Sequence, residues 1–135
     1  LTKSMLAWWM FQDASQELIS FDTKLEIEHI FPKKRQENEK SLYDKNNIEK
    51  LGNKALLEKN INIRASDYRF EDKVKYYLGF ENDKGIHKEG TKDKELVELA
   101  KKYTDYTEQN ILDRTEQIYS EFIKFVKKQN LFKIE

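Results

Sequence analysis

The sequence predicts a mainly α fold carrying one small antiparallel β-hairpin. Three observations lead to it. Apolar residues recur at helical spacing near both ends of the chain. Residues 24–31 alternate apolar and polar side chains, the period of a strand. A second short apolar run follows Gly52 and supplies a partner for that strand.

In chain order, residues 1–19 read as a helix, with Leu1, Met5, Trp8, Trp9 and Gln12 near helical spacing and Leu18 and Ile19 closing it. The Trp8–Trp9 pair is expected in the core or on a face that docks a neighbouring domain. In KLEIEHIF, residues 24–31, Leu25, Ile27, His29 and Phe31 fall on one side of a strand, and Glu26, Glu28 and Ile30 on the other. Pro32 ends that strand, having no N–H to donate to a ladder. The polar stretch KKRQENEKSLYDKNN is expected to be a loop. LGNKALLEKN then gives the second strand, antiparallel to the first. From Ile61 the pattern turns helical. Ser66 or Asp67 is placed to cap a segment carrying Phe70, Val74, Tyr77 and Leu78, with Gly79 as its stop. ENDKGIHKEGTKDK reads as a second polar loop, with His87 solvated in it. Residues 94–103 form a short amphipathic helix. Residues 107–128 form the longest, with Ile111, Thr115, Ile118, Phe122, Phe125 and Val126 as its apolar stripe.

Composition narrows the classes. The 135 residues suit one domain with a modest core, and two Trp, seven Tyr and eight Phe give that core its bulk. No apolar run approaches the roughly 20 residues of a membrane-spanning helix, and no signal-peptide pattern opens the chain, so a cytoplasmic location with no membrane partner is expected. The absence of cysteine excludes disulfides and thiolate zinc sites. Lys plus Arg equals Asp plus Glu at 25 each, so net charge does not announce a nucleic-acid binder. The chain begins at Leu1, and we expect it to be the C-terminal part of a longer protein.

The chemistry-bearing residues gather around the first strand. Glu28 offers a carboxylate, a ligand for a hard cation such as Mg²⁺. His29 offers a side chain suited to take a proton from water near neutral pH. Asn53, Asn60 and Asn62 add amide oxygens, which are hard neutral ligands. Together such groups can activate a water and hold a cation for phosphodiester hydrolysis. A Glu-His dipeptide alone is nonetheless a weak signal, because a strand histidine is more often structural.

The joint spacing strengthens it. Glu28-His29-Ile30-Phe31-Pro32, then Leu51-Gly52-Asn53-Lys54-Ala55-Leu56-Leu57, then Asn62 nine residues after Asn53, resembles the HNH (ββα-metal) nuclease motif. NKALLEKNIN resembles the matching stretch in the HNH domain of RNA-guided CRISPR nucleases. The wider pattern is most similar to the C-terminal domain of GmrSD-type modification-dependent restriction enzymes. It comprises EHI-x-P, LGN-x-x-LL, an Asn, the segment Ser66–Lys73, and a late helix with Ile111-Leu112-Asp113-Arg114. The resemblance spans roughly residues 20–125.

It implies a single HNH endonuclease-like domain over 1–135: a ββα-metal core at 24–78 embedded in helical additions at 1–19 and 94–128. It implies His29 as the general base, Glu28 and Asn62 as metal ligands, and Asn53 as the residue that holds the loop and keeps His29 oriented. Asn60 competes with Asn62, and the nine-residue spacing favours Asn62. Lys73 and Arg114 are expected near the phosphate or bracing the site. Lys33 and Lys34, in the KKR run directly after the active strand, are expected to grip phosphate or to form a solvated turn. Asn rather than His at the closing position, with no soft ligand present, favours Mg²⁺ or Mn²⁺ over zinc. The resemblance further implies DNA as substrate, an N-terminal NTPase-like (ParB-like) domain through which alone a nucleotide would act, a role in restriction of modified phage DNA, and two copies, as in a dimer, for a double-strand break. Two alternatives stand beside this: an HNH fold that has lost catalysis and binds DNA or a partner, and a structural helical domain docking through Trp8–Trp9.

Overall fold

In the computed structural model, which describes residues 1–130, the chain folds into six α-helices and two small antiparallel hairpins. The centre is the pair β1 (Leu25–His29) and β2 (Lys54–Glu58), in register Glu28 opposite Ala55 and His29 opposite Lys54. This is the antiparallel pair the alternation predicts. Both of its faces are covered. Leu25, Ile27 and Leu56 face α1 (Thr2–Phe11), where Leu6 and Met10 are buried. Ala55 and Leu57 face the main core, which Phe70, Tyr77, Leu96, Tyr106 and Ile111 fill from the other helices.

The chain enters α1 as expected but leaves it at Phe11 rather than at residue 19. The Asp13 carboxylate accepts from both the backbone N–H and the hydroxyl of Ser15, a local turn that competes with helical hydrogen bonding. Leu18 is left exposed, while Ile19 packs on the α1 side of the hairpin. Trp8 and Trp9 serve the core of this same chain. Trp8 packs edge-on against Phe122 with ring centroids 5.4 Å apart, and the Trp9 indole N–H donates to Glu95 at 2.9 Å.

Residues 33–47 correct the expected loop. They open with α2 (Lys33–Glu39), which starts directly after Pro32, and continue into 3-10 turns at Lys45–Glu49 and Leu51–Asn53. The sequence of α2 has no apolar stripe, and tertiary contacts hold it instead. Arg35 is buried over the Phe31 ring, bonds Glu39 within the helix, and makes two bonds to Asp105 at 2.7 and 2.9 Å.

After β2 the chain passes into α3 (Lys59–Ala65) and α4 (Phe70–Leu78), with Gly79 after the last turn as expected. The N-cap of α4 is Arg69 without a side-chain cap bond, so neither Ser66 nor Asp67 caps it. The second expected loop contains a hairpin, β3 (Gly79–Glu81) with β4 (His87–Glu89). Its turn is closed by Asn82, whose side chain accepts from the N–H groups of Lys84 and Ile86, and by Gly85 at φ +72°. His87 is exposed on β4. Helix α5 (Lys94–Lys102) is capped by Asp93, and α6 (Glu108–Lys128) by a reciprocal Thr107–Asn110 box. Helix α6 buries Ile111, Ile118 and Val126 of its predicted stripe. Gly52 lies so close to α6 that a Cβ there would stand 2.0 Å from the Ile111 carbonyl oxygen. That approach fixes the turn feeding β2. No described helix is long and apolar enough to cross a membrane.

Candidate active site

A cleft of about 390 Å³ opens between the end of β1 and the outer side of α3, and Glu28, His29, Pro32, Lys33, Asn62 and Asp67 line it. Residues 28 and 62 are far apart in sequence. They meet because β1 pairs with β2, and α3 follows β2 without a linker and packs back across both strands.

Period 2 puts Glu26 and Glu28 on one side of β1. Asn62 donates from Nδ2 to Glu26 Oε2 at 3.0 Å, which orients its amide. Glu28 is almost wholly buried. Its Oε2 accepts the Tyr77 hydroxyl at 2.7 Å and lies 3.2 Å from Lys73 Nζ, so both partners fall on one oxygen. Burial pushes the Glu28 carboxyl above the ordinary carboxylate range, against the attraction of the Lys73 ammonium. Burial likewise pulls Lys73 down, against the Glu28 charge. Lys73 Nζ also donates to the His29 carbonyl at 2.8 Å. With no solvent exposure it cannot reach a phosphate in the cleft.

His29 lines the same cleft at the end of the strand. Its Nε2 is buried without a hydrogen-bond partner and lies 3.5 Å from Glu49 Oε1. Burial lowers its pKa below 6.5, only partly offset by Glu49, so the ring is neutral near pH 7 and able to accept a proton. Burial opposes the charge of Glu49. The ammonium groups of Lys33 and Lys54, each at 3.1 Å, outweigh it and hold the carboxyl at about 2.

Asn53 is fully buried in the turn before β2. Its Oδ1 accepts the Phe31 N–H at 2.7 Å, and its Nδ2 donates to the carbonyls of Phe31 and Ile48 at 2.8 and 3.0 Å. Both backbone groups of the residue that follows His29-Ile30 are thereby clamped. Arg114 is buried away from the cleft. It donates to the carbonyls of Leu51, Gly52 and Lys54 and pairs with Glu95, bracing the same turn from behind. Lys33 reaches the cleft. Lys34, on the same exposed first turn of α2, leans toward Glu37 at 3.9 Å. Asn60 lies on the opposite flank of α3, in another cleft.

Three participants escape the sequence reading. Tyr77 reads as a core aromatic, yet its hydroxyl holds Glu28. Glu49 is one carboxylate among many. Glu26 carries a signal that could have found it, since it stands two residues before Glu28 on the same strand face.

The donors suit a hard divalent cation. Among the described residues no three His, Asp or Glu side chains gather as a metal cage, and the oxygen donors lining the cleft are the carboxylates of Glu28 and Asp67, the Asn62 amide oxygen and the Ser66 hydroxyl. Such a sparse, all-oxygen set fits Mg²⁺ or Mn²⁺, which keep several waters and bind jointly with substrate phosphate. It does not fit zinc.

The family described as GmrSD restriction endonucleases, C-terminal domain, matches residues 4–121, and the chain belongs to that family. Among curated proteins and among solved structures, none matches the chain.

Proposed function

We propose that the chain is an HNH-type, divalent-cation-dependent endonuclease domain that hydrolyses DNA phosphodiester bonds at the β1–α3 cleft. The observation that carries this reading is the convergence of Glu28, His29 and Asn62 on one cleft, with the unpartnered Nε2 of a neutral His29 beside it. Family membership supports the nuclease class.

In this reading His29 takes the proton of a water as that water attacks phosphorus. Glu49 lies beside the ring and favours the imidazolium that forms. Glu28 and Asn62 Oδ1 would hold the cation, which would supply positive charge for the phosphate and the leaving 3′ oxygen. Tyr77 and Lys73 keep Glu28 in one rotamer by occupying Oε2. Asn53 fixes the backbone after His29 and so the direction of the ring. Lys33, at the cleft mouth, meets the phosphate. One site cuts one strand, so a double-strand break needs two copies or two events. The complete protein would pair this module with an N-terminal NTPase-like domain and act in the cytoplasm on modified phage DNA.

The test is plasmid nicking with Mg²⁺ or Mn²⁺. Replacing a general base costs about 10²–10⁴ in rate, so His29→Ala is expected to lose at least about 100-fold with its fold intact. Cutting by His29→Ala at the parent rate contradicts the mechanism. Cleft geometry argues against the alternative of a structural domain docking through Trp8–Trp9, because those rings are already packed within the chain. A binding-only module would show no cutting in parent or variant.

A further inference from the structure

We propose that a second cleft, on the opposite flank of α3, binds the backbone phosphates of the same DNA, so that α3 lies between two stretches of sugar–phosphate chain. The inference rests on the reading of the β1–α3 cleft as a DNA-cutting site.

Helix α3 has two lined flanks. Asn62 and Ile63 border the catalytic cleft, whereas Asn60, Ile61 and Arg64 border a cleft of about 400 Å³ whose far wall is the β3–β4 hairpin. Arg64, His87, Lys88 and Lys92 converge there. Of the 25 Lys and Arg residues, nine have a carboxylate within 4.0 Å among the described residues. Among the described residues, Arg64, Lys88 and Lys92 have none within 4.0 Å, and their side chains donate no hydrogen bond. Three uncompensated cations facing one cleft is the electrostatic footprint of a polyanion site.

Two carboxylates share the lining, Glu58 and Glu89. Glu58 is buried and faces inward. Its Oε1 accepts the Thr91 hydroxyl at 2.6 Å and its Oε2 accepts the Lys92 N–H at 3.0 Å. Its work is to tie the end of β2 to the segment that follows the hairpin. Glu89 is exposed at the rim.

The hairpin wall is rigid. A Cβ on Gly90 would stand 2.4 Å from the Tyr77 carbonyl oxygen, and the Thr91 N–H bonds that same oxygen at 2.8 Å. Tyr77 therefore serves both clefts: its carbonyl fixes the hairpin and its hydroxyl fixes Glu28. The separation of the clefts is set by the thickness of α3, about 10–12 Å with side chains. That matches the scale of a duplex groove, about 12 Å across the major groove. Each contacted phosphate releases counterions, so the cleft should contribute to affinity in a salt-dependent way.

The experiment is binding of a short labelled DNA duplex to the chain in EDTA, followed by anisotropy over a range of salt. The combined variant Arg64→Gln, Lys88→Gln, Lys92→Gln is expected to weaken binding about tenfold or more. It should reduce the slope of log K against log salt by about 2–3, at ~0.9 per phosphate. A charge-matched control, Lys101→Gln, Lys127→Gln, Lys128→Gln, should keep the parent slope. Should the triple variant fail to fold, Lys88→Gln alone is expected to lower the slope by about 1. A slope equal to the parent's, or no binding of duplex by the parent, overturns the proposal. Because this readout needs no cutting, a chain that nicks plasmid with an unchanged slope refutes only the second cleft. A slope change without any nicking refutes only the nuclease reading.

Discussion

Two ion pairs with a buried cation, Arg114–Glu95 and Lys73–Glu28, are built differently. Arg114 and Glu95 meet through two parallel bonds, at 3.0 and 2.8 Å, and the remaining guanidinium nitrogen donates to three carbonyls of the turn before β2. The Glu95 charge raises the Arg114 pKa despite its burial, so the cation is fully compensated. Lys73 and Glu28 meet through one contact of 3.2 Å, and burial drives both toward their neutral forms. The first pair is a structural clamp. The second sits at the cleft, where Glu28 accepts the Tyr77 hydroxyl as well. A buried pair with a desolvation cost larger than its Coulomb gain is weak evidence for stability and better evidence for a site.

That contrast can be broken by mutation. Arg114→Met strands Glu95 and removes the three carbonyl contacts. It is expected to cost about 3–5 kcal/mol in urea unfolding, the scale for breaking a buried pair. A cost under about 1 kcal/mol would show that the clamp is dispensable. Gly52→Ala probes the same turn by overpacking. Its new methyl must displace the Ile111 carbonyl or Thr115, for about 1–3 kcal/mol. Glu28→Gln keeps the shape and an acceptor for Tyr77, and Lys73 can shed its proton, so about 1–2 kcal/mol is expected. Nicking nevertheless falls below detection. A variant that cuts normally would remove Glu28 from the site.

The smallest effect concerns pH. Asp93 caps α5 close to the clamp. Burial, then the neighbouring Glu95 charge, raise its carboxyl from 3.8 to about 7 against its two cap bonds. A folded-state pKa above the unfolded one means that the folded form holds the proton across that interval. The associated stability is therefore full below the unfolded pKa and declines as pH rises toward the folded one. Asp93→Asn removes the titration. Its melting temperature relative to the parent should improve as pH rises from about 4 to about 8, and a constant difference would mean that Asp93 does not titrate there.

The legible parts of the fold are those whose side chains carry a period. KLEIEHIF announced β1, and the stripe of Ile111, Ile118 and Val126 announced α6. Helix α2 escaped because Arg35, Asp105 and Phe31, distant or polar, supply the contacts that an apolar stripe would otherwise signal. The β3–β4 hairpin escaped because GFE and HKE are too short and polar to alternate, and its turn depends on one Asn side chain. Glu28, His29, Asn53 and Asn62 were legible only as a joint spacing. Tyr77 was not, since a hydrophobic pattern registers its ring and ignores its hydroxyl. Lys73 and Arg114 carry a spacing that fits either phosphate contacts or braces, and their burial keeps them from a phosphate in the cleft.

The most direct measurement is a crystal of the chain soaked in Mn²⁺ and examined for anomalous density. The account predicts a peak between the Glu28 carboxylate and Asn62 Oδ1, absent in Glu28→Gln crystals. A peak elsewhere, or no peak at that place in a preparation that nicks plasmid, would contradict it.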